Sequence, residues 1–211
     1  MLFAESYARL LLVLHTGLAA ALVAVSTHLV VWMRGFPRGQ FQRLNGVRRL
    51  ARISAILFAI TFVVGNLIYP VYKVRVRAEY LDQPGALLSD YQDRAESATY
   101  AAERYADTLT AQTSASARTS PSDAQIQIQA ANLPREAAKV ARWFDVKEHW
   151  LAFGMVMAIA CAVIVQTWNP RRDGQSIAAI VFLMAVAAAL STWLGAVIGV
   201  VVSSYRAIGG L

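Results

Sequence analysis

RLLLVLHTGLAAALVAVSTHLVVWM, Arg9–Met33, decides the fold. From Leu10 to Met33 it runs 24 residues without a formal charge. About 20 apolar residues suffice for a helix to cross the hydrocarbon of a bilayer. Two histidines interrupt the run, His15 and His28. An ionisable side chain at membrane depth is costly, so it faces a partner, a cofactor or water. At helical geometry the two rings lie about 140° apart around the axis and about 20 Å apart along it. They share neither a face nor a site.

Outward from this stretch, three more apolar runs follow. Ile53 to Tyr72 holds Asn66 inside it and Tyr69, Pro70 and Tyr72 at its exit. Trp150 to Trp168 and Ile177 to Val202 form the other two. The chain is 57% hydrophobic over 211 residues, high for a soluble domain. The expected fold is an all-α integral membrane protein with four spans arranged as two hairpins. The expected segments are 1–77 for the first hairpin, 78–149 for a helical extramembrane insertion and 150–211 for the second hairpin. Glu5 stands where a secretory leader would carry positive charge, and the first apolar core is too long for a leader, so it is read as a retained span.

Charge is unevenly placed. Arg34 to Arg52 holds six arginines and no acid, whereas Lys73 to His149 holds ten basic and eleven acidic residues. A basic loop beside spans is a topology signal and attracts anionic lipid. With Arg171 and Arg172, it places the first and third loops in the cytoplasm. Both termini and the long second loop are then expected on the outer face of the cell (inner) membrane. The arginines carry no interleaved recognition motif, so nucleic acid is not the expected partner. The single cysteine, Cys161, lies in an apolar run and reads as a packing residue.

Within the insertion, Leu87 to Gln112 shows helical spacing in Tyr91, Ala95, Ala98, Ala102, Tyr105 and Leu109. TSASARTSPSDA, Thr113 to Ala124, reads as a flexible linker. Pro134 suits the first turn of a helix, and that helix is expected to run into the third span for about 35 residues, roughly 50 Å. The fourth span carries Gly195-x-x-x-Gly199 and small residues from Ala185 to Ala189, a pattern that lets helices approach closely.

The candidate chemistry centres on His15. Asn66 and Tyr69 near the outer end of the second span, and Glu148 and His149 at the start of the third, are the polar groups nearest its level. Two histidines on different helices of a bundle can hold a haem iron, and Arg75 and Arg77 would suit its propionates. His15, His149 and Glu148 are alternatively a metal set, a quinone site is a third option, and a structural histidine is a fourth. WFDVKEHW, Trp143 to Trp150, reads most simply as a collar of charges and tryptophans at membrane entry. No nucleophile elbow, phosphate loop or CxxC is present. The function expected from these features is that of an accessory or structural subunit, packing against other membrane subunits or itself, with no residue set that assigns an enzymatic activity. The alternative is a b-type haem protein.

LLLVLH in the first span, the basic loop, and RRLARISAILFAITFVVG after it resemble the CopD-like and HemJ-like membrane proteins. The resemblance covers about the first 65 residues. It implies a bundle of four or more helices and matches His15 to a histidine associated, in HemJ-like proteins, with haem and protoporphyrinogen oxidation.

Overall fold

The computed structural model describes residues 5–109, 123–170 and 176–205. The described residues are all helical apart from turns. α1 spans Ala8–Met33 and α2 Leu44–Val71, α2 continuing into a π-helical stretch, Tyr72–Leu81. α3 is Pro84–Leu109, α4 Asp123–Thr167 and α5 Ser176–Tyr205. Four stretches among the described residues are long and apolar enough to cross a membrane: Ala8–Arg38, Leu44–Leu81, Ala137–Thr167 and Ser176–Val202. The four-span reading therefore holds. The expected linker over Thr113 to Ala124 and the turn at Arg171-Arg172 fall mainly or wholly outside the described residues.

The chain divides into two compact units: Met1–Lys73 with Arg142–Leu211, and Val74–Ala141. Both hairpins thus belong to one unit. Its helices pack through seams spaced three and four residues apart. In α4 the seam is Leu151, Gly154, Ala158, Cys161 and Val165; in α1 it includes Leu22, Ser26, Leu29 and Met33. This spacing keeps one stripe of a helix facing its neighbours, while Val13, Leu183 and Val200 point outward.

Toward the first loop, Met33, Phe36, Val47, Val165, Trp168 and Val181 form a buried cluster. Phe36, Phe41 and Trp168 meet there as a ring cluster, with centroids 5.1–5.9 Å apart. The loop closes on Gly39, whose φ of 78° is left-handed and whose N–H bonds the Phe36 carbonyl, a conformation that costs glycine little. Above this cluster Leu22, Phe58, Ala158 and Ala188, one from each helix, form a second layer. A polar seam joins α1 to α5: Ser26 and Thr192 hydroxyls lie 3.1 Å apart, and Trp193 Nε1 donates to Thr27 Oγ1 at 3.0 Å. In lipid such bonds hold helices in register.

Two local expectations change. Pro134 lies inside α4 instead of opening a helix. The run YKVRVRAEYL is wound as a π-helix that begins two residues after Pro70. Pro70 has no N–H, so the Asn66 carbonyl loses its ladder partner, and wider turns form where the α ladder is interrupted. In the second unit, Arg75 pairs with Glu79 (Nη1 to Oε2, 3.0 Å), and Arg77 Nε lies 3.9 Å from Asp82. Tyr80 Oη donates to Asp90 at 2.5 Å.

Candidate functional site

At the end of the bundle away from the first loop, four helices each bring a residue to one level. Counting along the axes, His15, Gly65, Lys147 and Gly199 lie about 27–35 Å from the helix ends at the first and third loops. All four positions extend the buried seams. His15 is seven residues before Leu22, and Lys147 is seven before Gly154.

Glycines make this level possible. The Cε1 edge of His15 sits on α2 at Gly65, where an added Cβ would lie 3.1 Å from Cε1 and 3.6 Å from Nδ1. An added Cβ on Gly199 would lie 3.3 Å from Lys147 Nζ. Each glycine thus vacates the space that a basic side chain uses. The Thr61 backbone carbonyl lies beside the imidazole, and Lys147 is its charged neighbour. Lys147 Nζ also stands 5.4 Å from the centroid of Phe144. Phe144 stacks on Tyr72 at 3.8 Å and on Tyr69 at 6.0 Å. Its aromatic floor keeps the ammonium beside a π face, a favourable cation–π placement.

His15 Nδ1 is buried and makes no hydrogen bond among the described residues. A ring nitrogen donates in one tautomer and accepts in the other. A buried polar atom without a partner costs about 1–3 kcal/mol. No carboxylate among the described residues makes an ion pair with Lys147; Glu148, its sequence neighbour, is its charged neighbour at longer range. The arrangement brings a lysine and an imidazole to one level of the bundle, each seated against a glycine of a neighbouring helix.

Apart from Tyr69, the remaining sequence-predicted residues are turned away from this level or held by their own helices. His149 is exposed, its Nδ1 held 2.8 Å from the Asp145 carbonyl of its own helix. Two residues from Lys147, it points about 200° around α4 from the inward face. No hydrogen bond or ring contact joins it to His15 among the described residues. His15 is seated on the α2 backbone and His149 on the α4 surface, so the pair does not fit a haem held between two imidazoles. Glu148 is half-buried beside Asp145, Lys147 and His149. No group of three His, Cys, Asp or Glu converges to hold a metal among the described residues, so His15, His149 and Glu148 are not one ligand set there. Asn66 is exposed and donates from Nδ2 to Phe62 O of its own helix at 2.9 Å. Tyr69 is part of the aromatic floor. Arg75 and Arg77 face carboxylates of their own unit. His28 is exposed and meets Trp32, with ring centroids 5.0 Å apart.

Sequence reasoning missed Lys147. It read the lysine as part of an entry collar, although its spacing to Leu151, Gly154 and Ala158 continues the buried seam. The chain matches no protein-family model, no curated protein and no solved structure.

Proposed function

We propose that this protein is an accessory subunit of a membrane assembly, anchored by its four-span unit and presenting the helical unit Val74–Ala141 to a partner. The observation that carries this reading is the insertion itself. A compact helical unit interrupts the chain between the second and third spans and is tied to the membrane unit at both ends. Such tethering holds a docking surface near the bilayer and raises its effective concentration toward a membrane-bound partner. α3 exposes Leu88 and Tyr100, and aromatic residues are enriched where proteins bind. The arginine-rich first loop supports a cytoplasmic position for that loop, and with it an outer-face position for this unit.

The test is a native gel of membranes solubilised in a mild detergent. The 23.0-kDa chain is expected in a larger complex with a second protein at fixed stoichiometry. The double variant Leu88→Glu/Tyr100→Glu is expected to remain in the membrane and to leave that complex. A wild-type chain that runs alone contradicts the reading, as does a double variant that stays bound.

A further inference from the structure

We infer that the first-loop end of α2 is a binding surface for an anionic phospholipid, its headgroup held by Arg49 and Arg52 and its acyl chains lying along the apolar ridge that follows them. The inference is independent of the accessory-subunit reading and of which side of the membrane the first loop faces.

Charge is the first observation. Six arginines lie between Arg34 and Arg52, and no acid lies between Glu5 and Glu79. Arg48 is committed to the Val165 and Trp168 carbonyls. The other five, Arg34, Arg38, Arg43, Arg49 and Arg52, are exposed and make no ion pair among the described residues. The third loop arrives at the same end, since Trp168 and Ala178 pack in one cluster with Phe36. Its Arg171 and Arg172 against Asp173 add charge of the same sign. Exposed guanidinium groups in excess of carboxylates suit phosphate oxygens, which the planar fork meets two at a time.

Geometry selects a lipid over a free anion. On α2, Arg49, Arg52, Ile56, Ile60, Val63 and Leu67 follow one another at steps of three and four, and all six are exposed. Such steps keep them within about 80° around the axis. The strip opens on two charges and then runs apolar for about 22 Å, the layout of a headgroup and its chains. Side chains of a helix lean toward its N-terminus, here the first-loop end, so the Arg52 head is carried back toward Arg49. A tryptophan marks the level. The Trp32 indole lies against α2 at Gly46, where an added Cβ would be 3.0 Å from Cε3, and Arg43 Cζ stands 5.5 Å from the ring centroid. Tryptophan gathers at headgroup level, and Gly46 is less than one helical turn before Arg49.

The experiment is native mass spectrometry of delipidated, detergent-purified full-length protein. Three probes are titrated: phosphatidylglycerol, phosphatidylcholine of the same acyl length, and glycerophosphoglycerol, the headgroup without its chains. The wild type is expected to bind phosphatidylglycerol about tenfold more tightly than either of the others, or better. An arginine at an anionic headgroup contributes about fivefold, so Arg49→Gln/Arg52→Gln is expected to weaken binding roughly twentyfold or more. Arg34→Gln/Arg38→Gln, before α2, is expected to lose less than about fivefold. Arg49→Lys/Arg52→Lys keeps the charge and is expected to retain binding. A second readout uses the wild type alone and stands even where the glutamine pair fails to fold. Raising ammonium acetate from about 0.1 M to about 1 M shortens the Debye length from about 10 Å to about 3 Å. It is expected to weaken phosphatidylglycerol binding and to leave phosphatidylcholine binding unchanged. Equal affinity for the two lipids, or phosphatidylglycerol binding unmoved by salt, overturns the inference. Equal affinity for glycerophosphoglycerol overturns the lipid assignment. Equal losses in the two glutamine pairs overturn the placement on α2.

Discussion

Gly154→Leu is expected to abolish the folded bundle, and Gly154→Ala to lower its thermal midpoint measurably. Gly154 is buried on α4 against two other helices. A Cβ there would lie 2.5 Å from Ser191 Cβ on α5 and 2.9 Å from Phe58 Cζ on α2. Real side chains do not reach such distances, so α4 or both neighbours must shift. Overpacking costs about 1–3 kcal/mol, whereas alanine recovers at most about 1 kcal/mol of helix propensity over glycine. The net sign for alanine is destabilising. Gly17 supplies the contrast: it lies within α1 and nothing stands within 4 Å of an added Cβ. Gly17→Ala is expected to keep or raise the midpoint. Thermal unfolding in detergent, followed by circular dichroism, checks both variants. A Gly154→Ala midpoint equal to that of the wild type would show that α4 is not pressed against α5 here.

Arg48→Met is expected to produce a comparable loss at the other end of the bundle. Arg48 Nε donates to the Val165 carbonyl at 3.0 Å and Nη2 to the Trp168 carbonyl at 2.9 Å. Gln166 Nε2 returns a bond to the Arg48 carbonyl at 2.9 Å. The last carbonyls of a helix have no partner within it, and the negative end of the helix dipole favours a cation. One guanidinium meets both needs of α4 and ties α4 to α2. Bonds to charged groups contribute about 1.5–3 kcal/mol each. Arg48 is half-buried, so solvent screens part of this, and the expected loss is about 2–4 kcal/mol for the pair. Arg48→Lys is expected to recover only part of it, because an ammonium lacks the planar fork that reaches two carbonyls at once. The same unfolding measurement checks the order wild type, then lysine, then methionine. An unchanged midpoint in Arg48→Met contradicts this account of the helix end.

The spans were legible because lipid demands long, nearly uncharged runs, and chance seldom supplies four of them. His15 was legible for the same reason: a titratable ring stands out against hydrocarbon. Its surroundings were not. Polarity alone pointed to Asn66 and His149, but Asn66 satisfies itself on Phe62 O and His149 on Asp145 O, each on its own helix. The helical phase carried the missing information. Lys147, Leu151, Gly154, Ala158, Cys161 and Val165 follow one another at steps of four and three, whereas His149 falls off that stripe. The small-residue motif in the fourth span was seen as a packing signal, and its glycines do meet α4. An added Cβ on Gly195 would lie 2.8 Å from Leu151 Cδ2. That Gly199 meets an ammonium instead of a second apolar surface depends on the register between α4 and α5, and no periodicity within either helix sets that register. The π-helical stretch was likewise hidden. Alternating YKVRVRAEYL shows no helical stripe, and Pro70 acts on the turns that follow it.

The proposal of an accessory subunit rests on a topology in which the helical unit follows the second span, and it expects the first loop and α3 on opposite sides of the membrane. Thiol labelling tests it most directly. Cys161 is the sole cysteine and is buried, with Sγ 3.7 Å from the Val181 carbonyl, so Cys161→Ala gives a background without native thiols. In that background, Gln40→Cys and Leu88→Cys are each treated with a membrane-impermeant maleimide, in spheroplasts and in inside-out vesicles. Leu88→Cys is expected to label only in spheroplasts and Gln40→Cys only in inside-out vesicles. The reverse pattern would keep the four spans and overturn their orientation. Labelling of both positions from one side would contradict the claim.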